Sequence, residues 1–261
     1  MGYRGKVVTM SQLIRPSQLN SYLQCSAKYR FQYIDKVQTP KALALAFGSA
    51  VHKAFETNFK QKVDSRSDLP TEEVVQAFSD SFDQEKEEVE KRELLEDPSA
   101  KDVGVGLVKK YHEEFAPSLQ PKAVEVKVEA SFKNYDYGVT GTIDNLTEDK
   151  KLVDYKSARR NESTVPMSHQ RQGSLYVLMA KAVNEDVDEL RFDYLIKVKT
   201  PQIVSKTFVP DPMHALTMLQ RVGEAIDKGI FLPNREHNFC SKRFCAYWRE
   251  CTKVYGGSVK D

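Results

Sequence analysis

The chain has 261 residues, with 39 Lys and Arg against 37 Asp and Glu, for a net charge of +2. Near-neutrality excludes a uniformly basic nucleic-acid coat, so any surface for a polyanion has to come from local clustering. The length supports one elaborated domain with a sizeable core, and no apolar stretch is long enough to span a membrane.

The stretch MGYRGKVVTMSQL lacks a long apolar core, so no secretory signal is expected and the location expected is cytoplasmic, the host cytoplasm if the protein is phage-encoded. In RPSQLNSYLQCSAKYRF, Pro16 and Ser17 predict a helix start, and Leu19, Tyr22, Leu23 and Phe31 its buried stripe around Cys25. GSAVHKAFE carries Gly48 and, four residues on, His52, with apolar spacing that suits a helix. Residues 61–120 hold long charged runs such as DQEKEEVEKRELLED, with Phe78, Phe82, Val89 and Leu94 at helical spacing. They are expected to form a helical insertion with a solvated acidic face.

Residues 122–156 change to strand-like alternation. The run YGVTGTID ends in Asp144, the short polar connection NLTEDKK predicts an antiparallel hairpin, and LVDYK follows. Alternation points Leu152, Asp154 and Lys156 to one face and Val153 and Tyr155 to the other. HQRQGSLYVLMA predicts a helix with Gln172 and Tyr176 on one face and Leu175, Leu178, Met179 and Ala182 buried. LRFDYLIKVKTP and QIVSKTFVP read as two strands separated near Pro201. DPMHALTMLQRVGEAIDKG reads as a helix from Asp211 or Pro212 to Gly229. The order of elements predicts an α/β or α+β fold.

Asp144, Asp154 and Lys156 supply two carboxylates and an amine at one sheet end. Two acids can hold Mg²⁺ or Mn²⁺, which lowers the pKa of bound water, and Lys156 can stabilise charge on a phosphate or orient the attacking water. On its own, the pattern equally fits a solvated hairpin whose Asp and Lys pair at the surface. The basic residues near these segments are Lys28, Arg30, Lys150, Lys151, Arg159, Arg160, Arg171, Lys242 and Arg243.

Taken together, the order G-x3-H, D, D-x-K and Q-x3-Y resembles the RecB-like branch of the PD-(D/E)XK nuclease superfamily over residues 15–251. The resemblance implies a central mixed sheet flanked by helices, with metal at His52, Asp144 and Asp154 and a further ligand in the Tyr155 carbonyl. It also implies catalysis by Lys156 and support from Gln172 and Tyr176. Glu129, in VEVKVEASF, resembles a family acidic position and equally suits a solvent-facing site.

Three of the four cysteines crowd into FCSKRFCAYWREC as Cys240, Cys245 and Cys251, and the fourth is Cys25. Four thiolates suit zinc or an iron–sulfur cluster, and nothing in the sequence supports an oxidising compartment for disulfides. The one-then-three distribution resembles the 4Fe-4S members of the RecB-like group, namely AddB, exonuclease V and CRISPR-associated adaptation nucleases. The C-x4-C-x5-C spacing departs from their usual C-x2-C-x5-C and resembles phage-type members. Ligation would close a loop over nearly the whole chain, so a structural staple joining the N- and C-terminal segments is expected.

These resemblances imply a metal-dependent DNA exonuclease acting on single strands or free ends in recombination, repair or phage DNA processing. The chain has no GxxxxGK(S/T) phosphate loop, so any helicase or recombination motor is a separate partner. The alternatives are a CRISPR adaptation nuclease that trims DNA before integration, and a non-catalytic iron–sulfur DNA-binding protein.

Overall fold

The computed structural model describes residues 12–261, so most of the MGYRGKVVTMSQL stretch lies outside the described residues. Six strands form one mixed sheet: β1 (Gln12–Ile14), β2 (Pro121–Ala130), β3 (Tyr137–Thr147), β4 (Lys151–Ala158), β5 (Glu189–Ile196) and β6 (Gln202–Thr207). The order is β1-β3-β4-β5-β6, with β2 also on β3. β1 runs parallel to β3 and β4 parallel to β5, while the β2–β3, β3–β4 and β5–β6 pairs are antiparallel. The expected hairpin is present, but its ladder is short: Asn145 pairs with Val153 and Leu146 with Leu152. Beyond those rungs β3 and β4 separate, and the separation opens a cleft between them.

Nine α-helices surround the sheet among the described residues: α1 (Pro16–Gln24), α2 (Ser26–Tyr29), α3 (Leu43–Ser65), α4 (Thr71–Glu85), α5 (Lys91–Glu96), α6 (Ala100–Glu114), α7 (Met167–Ala182), α8 (Pro212–Asp227) and α9 (Trp248–Tyr255). Their ends follow local chemistry. Pro16 opens α1, where its missing N–H costs nothing, and the Arg15 N–H donates to Gln18 Oε1 at 2.9 Å. Asp211 caps α8 by accepting from the His214 N–H at 2.9 Å, and Gly229 leaves that helix at φ 67°.

Strand alternation sends two sets of side chains into two cores. Leu152, Phe192 and Tyr194 pack with Leu19 of α1, Leu175 and Met179 of α7, and Leu216 and Leu219 of α8. Val153, Tyr155 and Leu195 pack on the other face with Phe47, Phe55 and Phe59 of α3, Phe78 of α4 and Tyr111 of α6. Residues 61–120 carry α4, α5 and α6, and α4 and α6 pack together with α3 on one face of the sheet.

Two stripe expectations are corrected. On α7 the buried residues are Gly173, Ser174, Leu175, Tyr176, Met179 and Ala180; Leu178 is half-buried and Ala182 exposed, because the last turn projects beyond the sheet. On α1 only Pro16 and Leu19 are fully buried, and Tyr22 and Leu23 lie at the margin of the core. No helix among the described residues is long and apolar enough to cross a membrane.

Candidate active site

The site lies where β3 and β4 part. The Tyr155 N–H has no strand rung to make there and donates instead to Asp144 Oδ2 at 3.2 Å. α3 presents His52, whose Nδ1 is 3.3 Å from the same oxygen. β2 contributes Glu125. One ligand atom each from His52, Glu125 and Asp144 falls within a mutual distance of 4.8 Å.

Glu125 reaches this cluster because its backbone is left-handed, with φ 53°, between rungs that pair Val124 with Asn145 and Val126 with Ile143. A non-glycine residue in that region stores strain of about 1–3 kcal/mol, a cost typical of functional positions. Glu129, the acid singled out from the sequence, is exposed on the same strand, outside this three-ligand cluster but on the wall of the cleft that Asp144 also lines. The backbone reversal at Glu125 breaks the simple alternation that would have made the two acids equivalent.

Asp154 and Lys156 point to the same side of β4, and Lys156 Nζ is 2.7 Å from Asp154 Oδ2. The Asp154 side chain is only 1% exposed, and neither carboxylate oxygen receives a well-aligned hydrogen bond. Asp154 is not among the three clustered ligands; its near neighbour is Lys156. A buried carboxylate with oxygens so poorly served is suited to a cation.

The electrostatics describe crowded acids. Burial, then the Asp154 charge, holds the Asp144 carboxyl well above the usual range, against the pull of Lys156 and the Tyr155 N–H. Burial and the Asp144 charge push Glu125 up to about 7. His52 is pushed down, chiefly by burial, so it presents a neutral imidazole. Two carboxylates and a neutral imidazole, next to a third carboxylate, are a donor set that could hold a divalent metal ion.

α7 forms the other wall. Gln172 Nε2 donates to Tyr176 OH at 2.6 Å, and both residues line the cleft with Asp144, Thr140 and Thr142. His169 lies one turn earlier on the same helical face, at a spacing to Gln172 and Tyr176 that is legible in the sequence. Its Nδ1 lies 2.8 Å from Tyr194 OH, and Tyr194 is the sheet neighbour of Lys156. Burial, helped by Lys156, lowers His169 to about 4. On the α3 side, Gly48 precedes His52 by one turn, and nothing lies within 4 Å of the place a Cβ would occupy.

The four cysteines meet away from this cleft. Cys25, Cys240, Cys245 and Cys251 line one cavity, walled by Phe31, Phe239, Phe244, Tyr247 and Trp248. All four are free thiols. Burial pushes the Cys245 and Cys251 thiols up and neighbouring thiols add to the effect, while Lys28 beside Cys245 and Arg235 beside Cys251 oppose it. α1 and α2 dock on the C-terminal segment here: the Ala27 N–H donates to the Leu232 carbonyl at 3.1 Å, and the Asn234 N–H to Cys25 Sγ at 3.4 Å.

The family model of the PD-(D/E)XK nuclease superfamily matches residues 14–252. No curated protein matches the chain. Among solved structures, a candidate exonuclease from Eubacterium rectale superposes with a TM-score of 0.61 at 13% identity, covering 96% of this chain and 90% of its own. The protein SSO0001 aligns at 13% identity over 88% of this chain and 94% of its own, with a TM-score of only 0.37.

Proposed function

The chain belongs to the PD-(D/E)XK nuclease superfamily, and from that premise we propose that it is a divalent-metal-dependent deoxyribonuclease that works as an exonuclease on single-stranded DNA or DNA ends. The observation that carries the reading is the convergence of His52, Glu125 and Asp144 beside the buried Asp154–Lys156 pair. Bound Mg²⁺ or Mn²⁺ would supply Lewis-acid polarisation of a phosphate oxygen and an acidified water. His52, Glu125, Asp144 and Asp154 would hold it, with the Tyr155 carbonyl as a further ligand. Lys156 Nζ donates to the phosphate oxygen on which charge accumulates, an interaction strongest in the transition state. Gln172 and Tyr176 brace each other along the substrate side of Asp144.

Exonuclease action draws on the description of the Eubacterium rectale neighbour. The test is cleavage of end-labelled linear and covalently closed circular single strands, with Mg²⁺ or Mn²⁺ and with EDTA. Loss of label from linear DNA alone, abolished by EDTA and by Asp154→Ala, is the expected result. Cutting of circles as fast as linear strands removes the exonuclease reading, and metal-independent cutting removes the site.

The cysteine cavity is assigned to a 4Fe-4S cluster with a structural role. Supporting this, all four thiols line one cavity, and four Cys thiolates are the ligand set of such a cluster. Anaerobic protein should be brown and contain iron and labile sulfide in equal amounts. Stoichiometric zinc without sulfide would replace the cluster with a zinc staple.

A further inference from the structure

We infer that Arg159 and Lys197, side by side at the C-terminal ends of β4 and β5, form a second phosphate-binding subsite that grips the nucleic-acid strand beyond the bond being cut. The inference rests on reading the cleft as a nuclease site.

The two parallel strands end in register, Ala158 opposite Ile196, and the Lys197 N–H donates to the Ala158 carbonyl at 2.7 Å. This main-chain bond fixes the next residue of each strand, Arg159 and Lys197, as neighbours. Most cations singled out in the sequence are spoken for: Arg30 pairs with Asp35 at 3.1 Å, Lys151 with Asp149 at 2.8 Å, Arg160 with Glu162 at 2.5 Å, Arg243 with Glu96 at 3.2 Å, and Lys242 with Asp261. Among the described residues, Arg159 and Lys197 have no carboxylate within ion-pair distance. Lys197 is half-buried, with Nζ 4.9 Å from the centre of the Phe47 ring. Burial, then the Arg159 charge, holds the Lys197 amine below its ordinary value, against the opposing pull of Asp97. Two like charges side by side with no carboxylate in ion-pair contact lower their energy by sharing an anion.

Position identifies the anion. Arg159 follows Lys156 by three residues, about 10 Å at a strand's rise, too far to share the phosphate at the metal cluster. α3 runs between the two places: Phe47 lies under Lys197, and His52 lies 3.3 Å from Asp144. Between them Gly48 leaves the helix wall open, with nothing within 4 Å of its missing Cβ. A strand whose scissile phosphate sits at the cluster can therefore pass over Gly48 and present a neighbouring phosphate to Arg159 and Lys197.

The test is fluorescence anisotropy with a labelled oligothymidylate, in Ca²⁺ in place of Mn²⁺, across a salt series. It uses the full chain and the variants Arg159→Ala, Lys197→Met and Lys197→Arg. Lys197→Met keeps the stem over Phe47 and removes only the charge. Arg159→Ala and Lys197→Met should each weaken binding roughly tenfold and reduce the slope of log affinity against log salt by about 0.7, the value for one single-strand phosphate contact. Lys197→Arg should keep the wild-type slope. Wild-type affinity and slope in both charge-removal variants would overturn the subsite, as would a Lys197→Arg defect equal to that of Lys197→Met, which would mean packing alone. Cleavage in Mn²⁺ is followed separately. A protein that cuts nothing while showing these binding losses ends the nuclease reading and keeps the subsite, and one that cuts with all variants binding like wild type does the reverse.

Discussion

Asp144 Oδ2 takes the Tyr155 N–H at 3.2 Å at the point where the β3–β4 ladder stops, so a carboxylate of the candidate site replaces a strand carbonyl. The same oxygen lies 3.3 Å from His52 Nδ1. Asp144 thus closes the sheet locally and opens it to a cation.

These two tasks separate by mutation. Asp144→Asn keeps an oxygen for the Tyr155 N–H and removes a charge that burial and Asp154 disfavour. In EDTA its melting temperature should equal or exceed that of the wild type, while Mn²⁺ should no longer raise it and cleavage should be lost. A melting temperature well below wild type in EDTA would show that the charge holds the fold together.

Lys156→Ala should lower kcat by about 10²–10³, the range for removing one donor to a developing charge. DNA affinity should change only a few-fold. Single-turnover kinetics with a separate binding titration checks the split, and a defect confined to binding would remove Lys156 from the chemical step.

Stability of the metal-free protein should depend on pH in a defined direction. The folded value of Glu125, about 7, lies above its ordinary 4.5, so the native state holds a proton that the unfolded chain has released. That stabilisation is complete below the ordinary value and is lost as pH rises through 7. His52 and His169 are shifted down, so their contribution is lost only as pH falls below the ordinary histidine value of 6.5. Between pH 6.5 and about 7.5 the raised carboxylates dominate, and the melting temperature in EDTA should fall. Glu125→Gln should flatten the fall, and a wild-type curve that rises over this interval would contradict the crowded-acid description.

β5 is held to β6 and α6 by a buried polar network. Tyr111 OH donates to Asp193 Oδ2 at 2.6 Å, Arg191 Nη2 to the same oxygen at 2.8 Å, and Ser205 Oγ to Oδ1 at 2.5 Å. Tyr111→Phe should cost about 1–3 kcal/mol. Asp193→Ala should cost about 3–5 kcal/mol because Arg191 is left without its partner. Thermal melts read both at roughly 2–4 °C per kcal/mol for a domain of this size, and equal small losses would mean that the network is loosely coupled.

Gly48 makes opposite demands on stability and function. Its Cβ position is open, so Gly48→Ala should raise helix stability by about 0.5–1 kcal/mol. Gly48→Leu should fit the fold equally well and block the strand path, raising KM for DNA. Unchanged KM in the leucine variant would place the substrate elsewhere.

Much of this arrangement is legible in the sequence wherever one local rule governs it. Period-two alternation puts Asp154 and Lys156 together, and Nζ reaches the carboxylate at 2.7 Å. Proline and aspartate mark the start of the helix Pro212–Asp227, and the cysteine spacing brings four thiols to one cavity. Glu125 was illegible because its place depends on a left-handed backbone and on register with β3, neither of which its neighbours specify. Lys197 was illegible for a related reason: it looks like one basic residue among many until β4 and β5 end side by side.

The docking of Ala27 on Leu232 and of Cys25 on Asn234 joins segments separated by more than 200 residues. A ribosome adding about 5–20 residues per second takes on the order of 10–40 s to make the intervening chain. For that time α1 and α2 are without their partner, and the Cys25 thiol is exposed to oxidants and stray metals. The cysteine cavity is completed only after Cys251 has emerged, so until then the Cys25 thiol lacks the complete set of C-terminal thiols beside it.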